Sequence, residues 1–396
     1  MKFVIYLFPV LINFVVSGVF FYVNQRFVDA GVSKLLTAMV VPTWAITYCV
    51  SSGVIGKVVN ARNAAKLIIC GGTIIAASSL GFIFLDALIW LLIWTGILGI
   101  GFGFYCSPFQ VMCREMEKGS SSGVAMATGK YTCAWSLGFA AGAVTFGMFN
   151  YTMAFVLCFI VGVFVAVGVA VIDHKLKRMP AESNVIEVEA ASVELTNEAE
   201  NGLPDYAWLG WIIGGIVSFA VNQLRSMLQS HGAELCLPNA KETMALTLMM
   251  VSVVQGVFAL FLVKSRVWVY KSFPILLMGL VGALSMAGFC FANARWGFLL
   301  TAVFYGIYSG CGYFIFVFYA LSNPVKAGRN AAFNEISVSI ASISGPLLGG
   351  MLAQSTALSW SPFAMASGSI VLATIFHLVV FALDKRRKKA LQEYKI

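Results

Sequence analysis

The chain has 396 residues, 60% of them hydrophobic and 11% charged, with a net charge of +9. Soluble domains carry about 25% charged residues, so this composition excludes a water-soluble protein and makes lipid the solvent. The positive balance follows membrane topology, because Lys and Arg collect on alternate loops.

In chain order, twelve apolar spans are predicted, at 3–25, 35–59, 66–86, 88–112, 122–147, 150–172, 207–229, 242–263, 272–292, 295–320, 331–355 and 362–383. About 20 apolar residues make roughly 30 Å of helix, the thickness of the hydrocarbon core. All are expected to be α-helices, since an open strand edge cannot face lipid. The first span lacks a small-residue cleavage site and reads as a retained helix. The fold class is therefore all-α, a polytopic membrane protein of twelve helices.

Connections are short except at 173–206, which opens basic (Lys175, Lys177, Arg178) and turns acidic (Glu182, Glu187, Glu189, Glu194). It lacks periodicity and is expected to be a disordered cytoplasmic linker. The expected organisation is a six-helix bundle over 1–172, the linker over 173–206, a second bundle over 207–384 and a basic tail over 385–396. With the N-terminus inside, 20 of the 26 Lys and Arg fall on the cytoplasmic side and 5 outside; the last, Lys130, lies within the fifth span. That asymmetry puts both termini in the cytoplasm of a plasma membrane, as in a bacterial inner membrane.

The halves repeat. Val23-Asn24-Gln25 in the first span recurs as Val221-Asn222-Gln223 in the seventh, and Gly138 and Gly142 in the fifth match Gly345 and Gly349 in the eleventh. Duplicated six-helix units are a common transporter plan.

Six helices, a linker and six helices resemble the major facilitator superfamily over nearly the whole chain. Gly345-Pro346-Leu347-Leu348-Gly349-Gly350 looks like that family's GP-x-x-GG helix motif, of which the fifth span keeps only Gly138 and Gly142. The loop after the second span, Gly56 to Lys66, is similar to the family's Gly-x-x-x-Asp-Arg loop, with Asn60 in place of the acid and Arg62 kept. Gly99-x-Gly101-x-Gly103 in the fourth span is preceded by Thr95 where the family often has Arg. The resemblance implies a secondary transporter in which spans 1, 4, 7 and 10 line a central cavity.

Each of those spans carries a stripe on one face: Asn13, Ser17, Phe21 and Asn24; Thr95, Phe102, Cys106 and Gln110; Trp211, Ser218, Asn222 and Arg225; Tyr305, Tyr308 and Tyr319. Amides, hydroxyls and rings of this kind hydrogen-bond and stack on a small polar, sugar-like or aromatic solute. The bland alternative is interhelical packing. Arg225 reads either as a carboxylate-binding residue, which would make the chain an organic-anion carrier, or as a side chain snorkelling to the interface. Efflux of amphipathic drugs and a non-transporting sensor with the same fold are further readings. Glu335 in the eleventh span is expected to pair with Arg62 or Lys66 of the Asn60 loop as an inner gate. A lone His377 in the twelfth span reads as packed.

Nine cysteines without CxxC or Cys/His spacing give no metal or redox site. No HExxH, nucleophile–His–acid set or GxxxxGK[ST] loop is present, so enzyme and ATP-driven readings fall away, and no cofactor is expected. The expected partners are a small-molecule substrate and the bilayer, with no nucleic acid, and one chain suffices to form the cavity.

Overall fold

The computed structural model describes residues 6–60, 62–117, 124–177, 207–264, 268, 271–321 and 327–393. The expected linker begins five residues late, because α6 runs on to Lys177; residues 178–206 and the side chains from Lys385 onward lie outside the described residues. Every described element is an α-helix or a turn.

Twelve long helices follow the predicted order: α1 (Leu7–Asp29), α2 (Val40–Val58), α3 (Ala64–Phe84), α4 (Leu88–Glu117), α5 (Val124–Met148), α6 (Tyr151–Lys177), α7 (Ala207–Glu234), α8 (Ala240–Lys264), α9 (Ser272–Phe291), α10 (Arg295–Leu321), α11 (Ala327–Thr356) and α12 (Ser361–Glu393). A one-turn helix, Lys34–Ala38, leads into α2 and is capped by the Ser33 hydroxyl, which accepts from the Leu36 N–H at 3.3 Å. Among the described residues, eleven spans are long and apolar enough to cross a membrane. The other long helix, α5, carries Lys130, Thr128, Thr132 and Ser136 and packs between α1 and α8.

Several helices outrun their predicted spans. α7 continues to Glu234, α4 to Glu117 and α12 to Glu393. Hydropathy marks only the part of a helix that matches lipid, and backbone hydrogen bonding carries the helix further where polar side chains meet water or one another.

Large side chains such as Phe84, Phe273, Phe291, Trp296 and Leu372 are exposed on the outer surface. In water such a surface would aggregate; against acyl chains it is solvated. Lipid supplies no hydrophobic drive between helices, so contact depends on small residues that admit a neighbouring backbone.

The repeated glycines do this in corresponding places. A Cβ at Gly138 or Gly142 of α5 would strike the carbonyl oxygens of Val10 or Phe14 on α1. A Cβ at Gly345 of α11 would meet the Phe219 carbonyl oxygen of α7 at 2.6 Å, and one at Gly349 would meet Gln223 at 3.3 Å. Thus α5 lies on α1 as α11 lies on α7, which places the sequence repeat in the packing. Gly350 instead faces Leu35 and Ala38 at the start of the second span.

The first six helices pack chiefly on one another, as do the last six. The two groups meet along a seam where α5 lies on α8, α2 on α11 and α1 on α7. We call the side where α1 begins and α12 ends the terminal face, and the opposite side the loop face.

Candidate functional site

The seam is tied at the loop face. Lys34, before α2, forms an ion pair with Glu234 at the end of α7 and donates to the Ala357 carbonyl at 2.8 Å. Glu234 also accepts from the Ser359 N–H at 3.3 Å, and the Ser359 hydroxyl meets His231 Nδ1 at 2.9 Å. Deeper, the Asn24 amide of α1 donates to the Arg225 carbonyl of α7 at 3.1 Å. Gly147 of α5 sits so close to Ala245 of α8 that a Cβ would collide with it. Polar groups of one half therefore close over the other at the loop face.

Below that closure is a small void, with room for about one water molecule, lined by Ser17, Phe20, Phe21, Phe139, Arg225, Leu248 and Ser252. Its walls come from α1 and α5 on one side and from α7 and α8 on the other. The Arg225 guanidinium lies 3.7 Å from the centroid of the Phe139 ring, a cation–π contact that strengthens when water is excluded. One guanidinium nitrogen donates to the Asn222 side-chain oxygen at 3.3 Å, and the Asn222 amide donates to the Ser342 hydroxyl of α11 at 2.8 Å. The Ser17 hydroxyl donates to the Phe139 carbonyl at 2.7 Å, fixing α1 against α5. Among the described residues no Asp or Glu forms an ion pair with Arg225. A larger cleft of about 470 Å³ opens on the loop face beside Tyr22, Asp86, Tyr151 and Lys241.

The predicted stripe residues divide. Ser17, Phe21 and Arg225 line the cavity, and Asn222 and Asn24 hold Arg225 in place. Ser218 hydrogen-bonds the Tyr313 hydroxyl at 3.1 Å, and Tyr313 meets the Trp135 ring of α5 edge-on at 5.0 Å. Trp211 contacts the Phe333 ring of α11 at 4.8 Å, with its indole N–H buried and unpartnered.

Others serve packing. Asn13 donates to the Pro9 carbonyl of its own helix, and Thr95, fully buried, donates to the Leu91 carbonyl. The Tyr305 hydroxyl reaches the Val217 carbonyl at 3.4 Å. Tyr308 fills the space over Gly282 of α9, and Tyr319 lies beside Gly210 of α7. Phe102 and the half-buried Cys106 of α4 lie near Tyr48 rather than near Arg225. The Gln110 side chain lies outside the described residues.

Of the expected gate residues, Glu335 accepts from the Tyr48 hydroxyl of α2 at 2.7 Å. Arg62 and Lys66 are exposed at the start of α3, on the terminal face, and Glu335 is half-buried against α2. Asn60 shapes that loop: its side-chain oxygen accepts from the N–H groups of Arg62 and Asn63 at 3.0 and 3.1 Å. Lys130 is half-buried on α5. His377 bonds the Ala373 and Leu209 carbonyls, as a packed histidine does.

Sequence reasoning missed Phe139, Leu248 and Ser252, which lie on α5 and α8, and Trp44 and Tyr48 on α2. Helices read as packing elements proved to carry cavity residues as well. The usable signal was Gly138 and Gly142: if they bring α5 onto α1, the residues beside them must face the seam.

The family model described as Major Facilitator Superfamily matches residues 3–334. No curated protein matches the chain. Among solved structures, a proton-dependent oligopeptide transporter studied for substrate recognition is similar at 15% identity and TM-score 0.67, covering 97% of this chain and 98% of that one. Tetrameric PepTSo2 is similar at 14% identity and TM-score 0.65, with the same coverage. The nucleoside transporter NupG is similar at 12% identity and TM-score 0.65, covering 96% of this chain and 98% of that one. At these identities the likeness is one of fold.

Proposed function

The chain belongs to the Major Facilitator Superfamily, and from that membership we propose that it moves a small polar solute bearing a carboxylate, by rocking of its two halves about Arg225. It is an integral membrane transporter of small molecules; the carboxylate, the site and the motion are our reading.

One observation carries it. A guanidinium stands between the halves at the edge of a small void, stacked on Phe139 and bonded to a neutral amide, with no acidic side chain paired to it among the described residues. A charge withdrawn from water is costly unless paired. A carboxylate suits the planar fork of Arg, and the Ser17 and Ser252 hydroxyls add hydrogen-bonding capacity. Snorkelling is disfavoured, because the side chain turns to Phe139 rather than to the interface. The organic-anion reading therefore overtakes the neutral sugar-like one.

In this reading both termini are cytoplasmic, the loop face is external, and the structure is closed to the outside. Residues 1–172 and 207–384 act as the two moving bundles, joined through 173–206. One chain forms both walls of the cavity, so a monomer suffices.

A thermal-shift comparison tests the solute class, since a ligand that binds only the folded state raises its stability. Purified protein should be stabilised by benzoate and short-chain carboxylates, and not by the matching amides. Stabilisation by sugars or amides alone would restore the neutral-solute reading.

A further inference from the structure

The larger cleft on the loop face is walled by both halves of the chain. Tyr22, Asp86, Phe149, Tyr151 and Phe155 come from the first half, and Lys241, at the start of α8, comes from the second. Ala245, one turn after Lys241, is the residue that a Cβ at Gly147 would strike, so this end of α8 lies against α5. Phe21 lines the void at Arg225 and its neighbour Tyr22 lines the cleft, so the two spaces lie on different faces of α1.

The cleft joins aromatic walls to one cation. Phe155 stacks on Phe82 with ring centroids 4.9 Å apart, and Tyr151 meets Tyr22 edge-on at 4.5 Å. Phe149 is 61% exposed at the rim. The Lys241 ammonium lies 4.2 Å from the centroid of the Tyr151 ring. The acids around it have other partners. Asp86 pairs with Arg26 at 3.6 Å, Asp29 accepts from the Gln25 amide at 2.7 Å, and Glu242 pairs with Arg295 at 3.1 Å. Among the described residues Lys241 forms no ion pair. The Asn150 side-chain oxygen caps α6 by accepting from the Thr152 N–H at 2.9 Å, which leaves its amide hydrogens as donors on the cleft wall. An anion with a planar apolar body meets all of these, with its charge on Lys241 and its ring on the aromatic side chains. A volume of about 470 Å³ accommodates a ligand of one or two fused rings.

We propose that this cleft is a second ligand site, independent of Arg225, that takes a water-borne aromatic carboxylate or sulfonate with its charge on Lys241 and its ring beside Tyr151 and Phe149. Because Lys241 belongs to one half and the rings to the other, the ligand bridges the seam and holds the loop face closed. The site is regulatory: an aromatic anion arriving at the loop face opposes opening without entering the void at Arg225.

The test measures binding of 2-naphthalenesulfonate to the full-length protein in nanodiscs of phosphatidylcholine. Lys241→Gln should weaken binding about tenfold. Phe149→Ala, at an exposed position, should weaken it about 2- to 10-fold. Arg225→Ala should retain it. At ten times its Kd the probe should reduce loop-face labelling of Ser252→Cys, counted above that of the native cysteines, about tenfold, because a ligand confined to the closed state shifts the equilibrium by that factor. Undiminished binding in Lys241→Gln and Phe149→Ala, or loss of binding in Arg225→Ala, would overturn the cleft as the site. Equal labelling with and without probe would overturn its regulatory role. Loss of probe binding when phosphatidylglycerol is added to the discs would overturn the water-borne ligand and give the cleft to a lipid phosphate. Each of these results leaves the carboxylate reading of Arg225 to its own test. A variant counts only if its ligand-free melting temperature matches wild type; Phe149→Ala decides if Lys241→Gln does not fold.

Discussion

Arg225 and Phe139 sit on α7 and α5, one from each half of the chain, with the guanidinium 3.7 Å above the ring centroid. The contact places a positive charge on the seam that alternating access must open. Whatever binds that charge is in contact with both halves at once, as coupling of binding to motion requires.

Truncation at Arg225 should therefore abolish carboxylate binding rather than trim it. Removing one partner of a buried charge pair costs about 2–5 kcal/mol, so Arg225→Ala should bind carboxylates at least about 30-fold more weakly. Arg225→Lys should recover part of the loss, because the charge returns without the planar fork. Titration calorimetry on purified protein measures both.

Phe139 should matter through its ring. Phe139→Leu removes a contact of about 0.5–2 kcal/mol and should weaken binding by about 2- to 30-fold, while Phe139→Tyr keeps the face and stays close to wild type. A Leu variant with unchanged affinity would show that the stacking is incidental.

The Lys34–Glu234 pair is partly exposed, with side-chain exposures of 20% and 42%, so its worth is at most about 1 kcal/mol. That still shifts a conformational equilibrium up to about fivefold. Lys34→Ala should increase labelling of a Ser252→Cys variant by a membrane-impermeant thiol reagent applied at the loop face. The double exchange Lys34→Glu with Glu234→Lys should bring labelling back toward wild type.

Helix contact predicts a graded glycine series. Gly345→Ala puts a Cβ 2.6 Å from the Phe219 carbonyl oxygen, which cannot move without α7. Overpacking of this kind costs about 1–3 kcal/mol, and Gly142→Ala should behave alike. Gly368→Ala meets nothing within 4 Å and should leave the melting temperature unchanged.

The helices and their order were legible because lipid imposes one length and one polarity on every crossing. The repeat was legible through Gly138, Gly142, Gly345 and Gly349, whose spacing is a backbone-approach requirement. The site was legible only in part. Ser17, Phe21, Asn222 and Arg225 could be read from α1 and α7, but Phe139 and Ser252 could not, because nothing in one sequence says which face of α5 or α8 turns to the seam. Tyr305 and Tyr308 look like cavity residues in a stripe, yet one is bonded to a neighbouring backbone and the other fills the space over Gly282. Glu335 was visible as an acid in an apolar helix, but its partner Tyr48 lies 287 residues away, a separation that charge matching along the chain does not reach.

The most direct test of the central claim is flux. Purified protein in liposomes should exchange a radiolabelled short-chain carboxylate against an internal unlabelled pool, and the matching amide should not compete. Arg225→Ala, folded by its melting temperature, should reduce exchange to the level of empty liposomes. Exchange of carboxylate at the wild-type rate by Arg225→Ala would contradict the assignment of Arg225 as the solute's anchor.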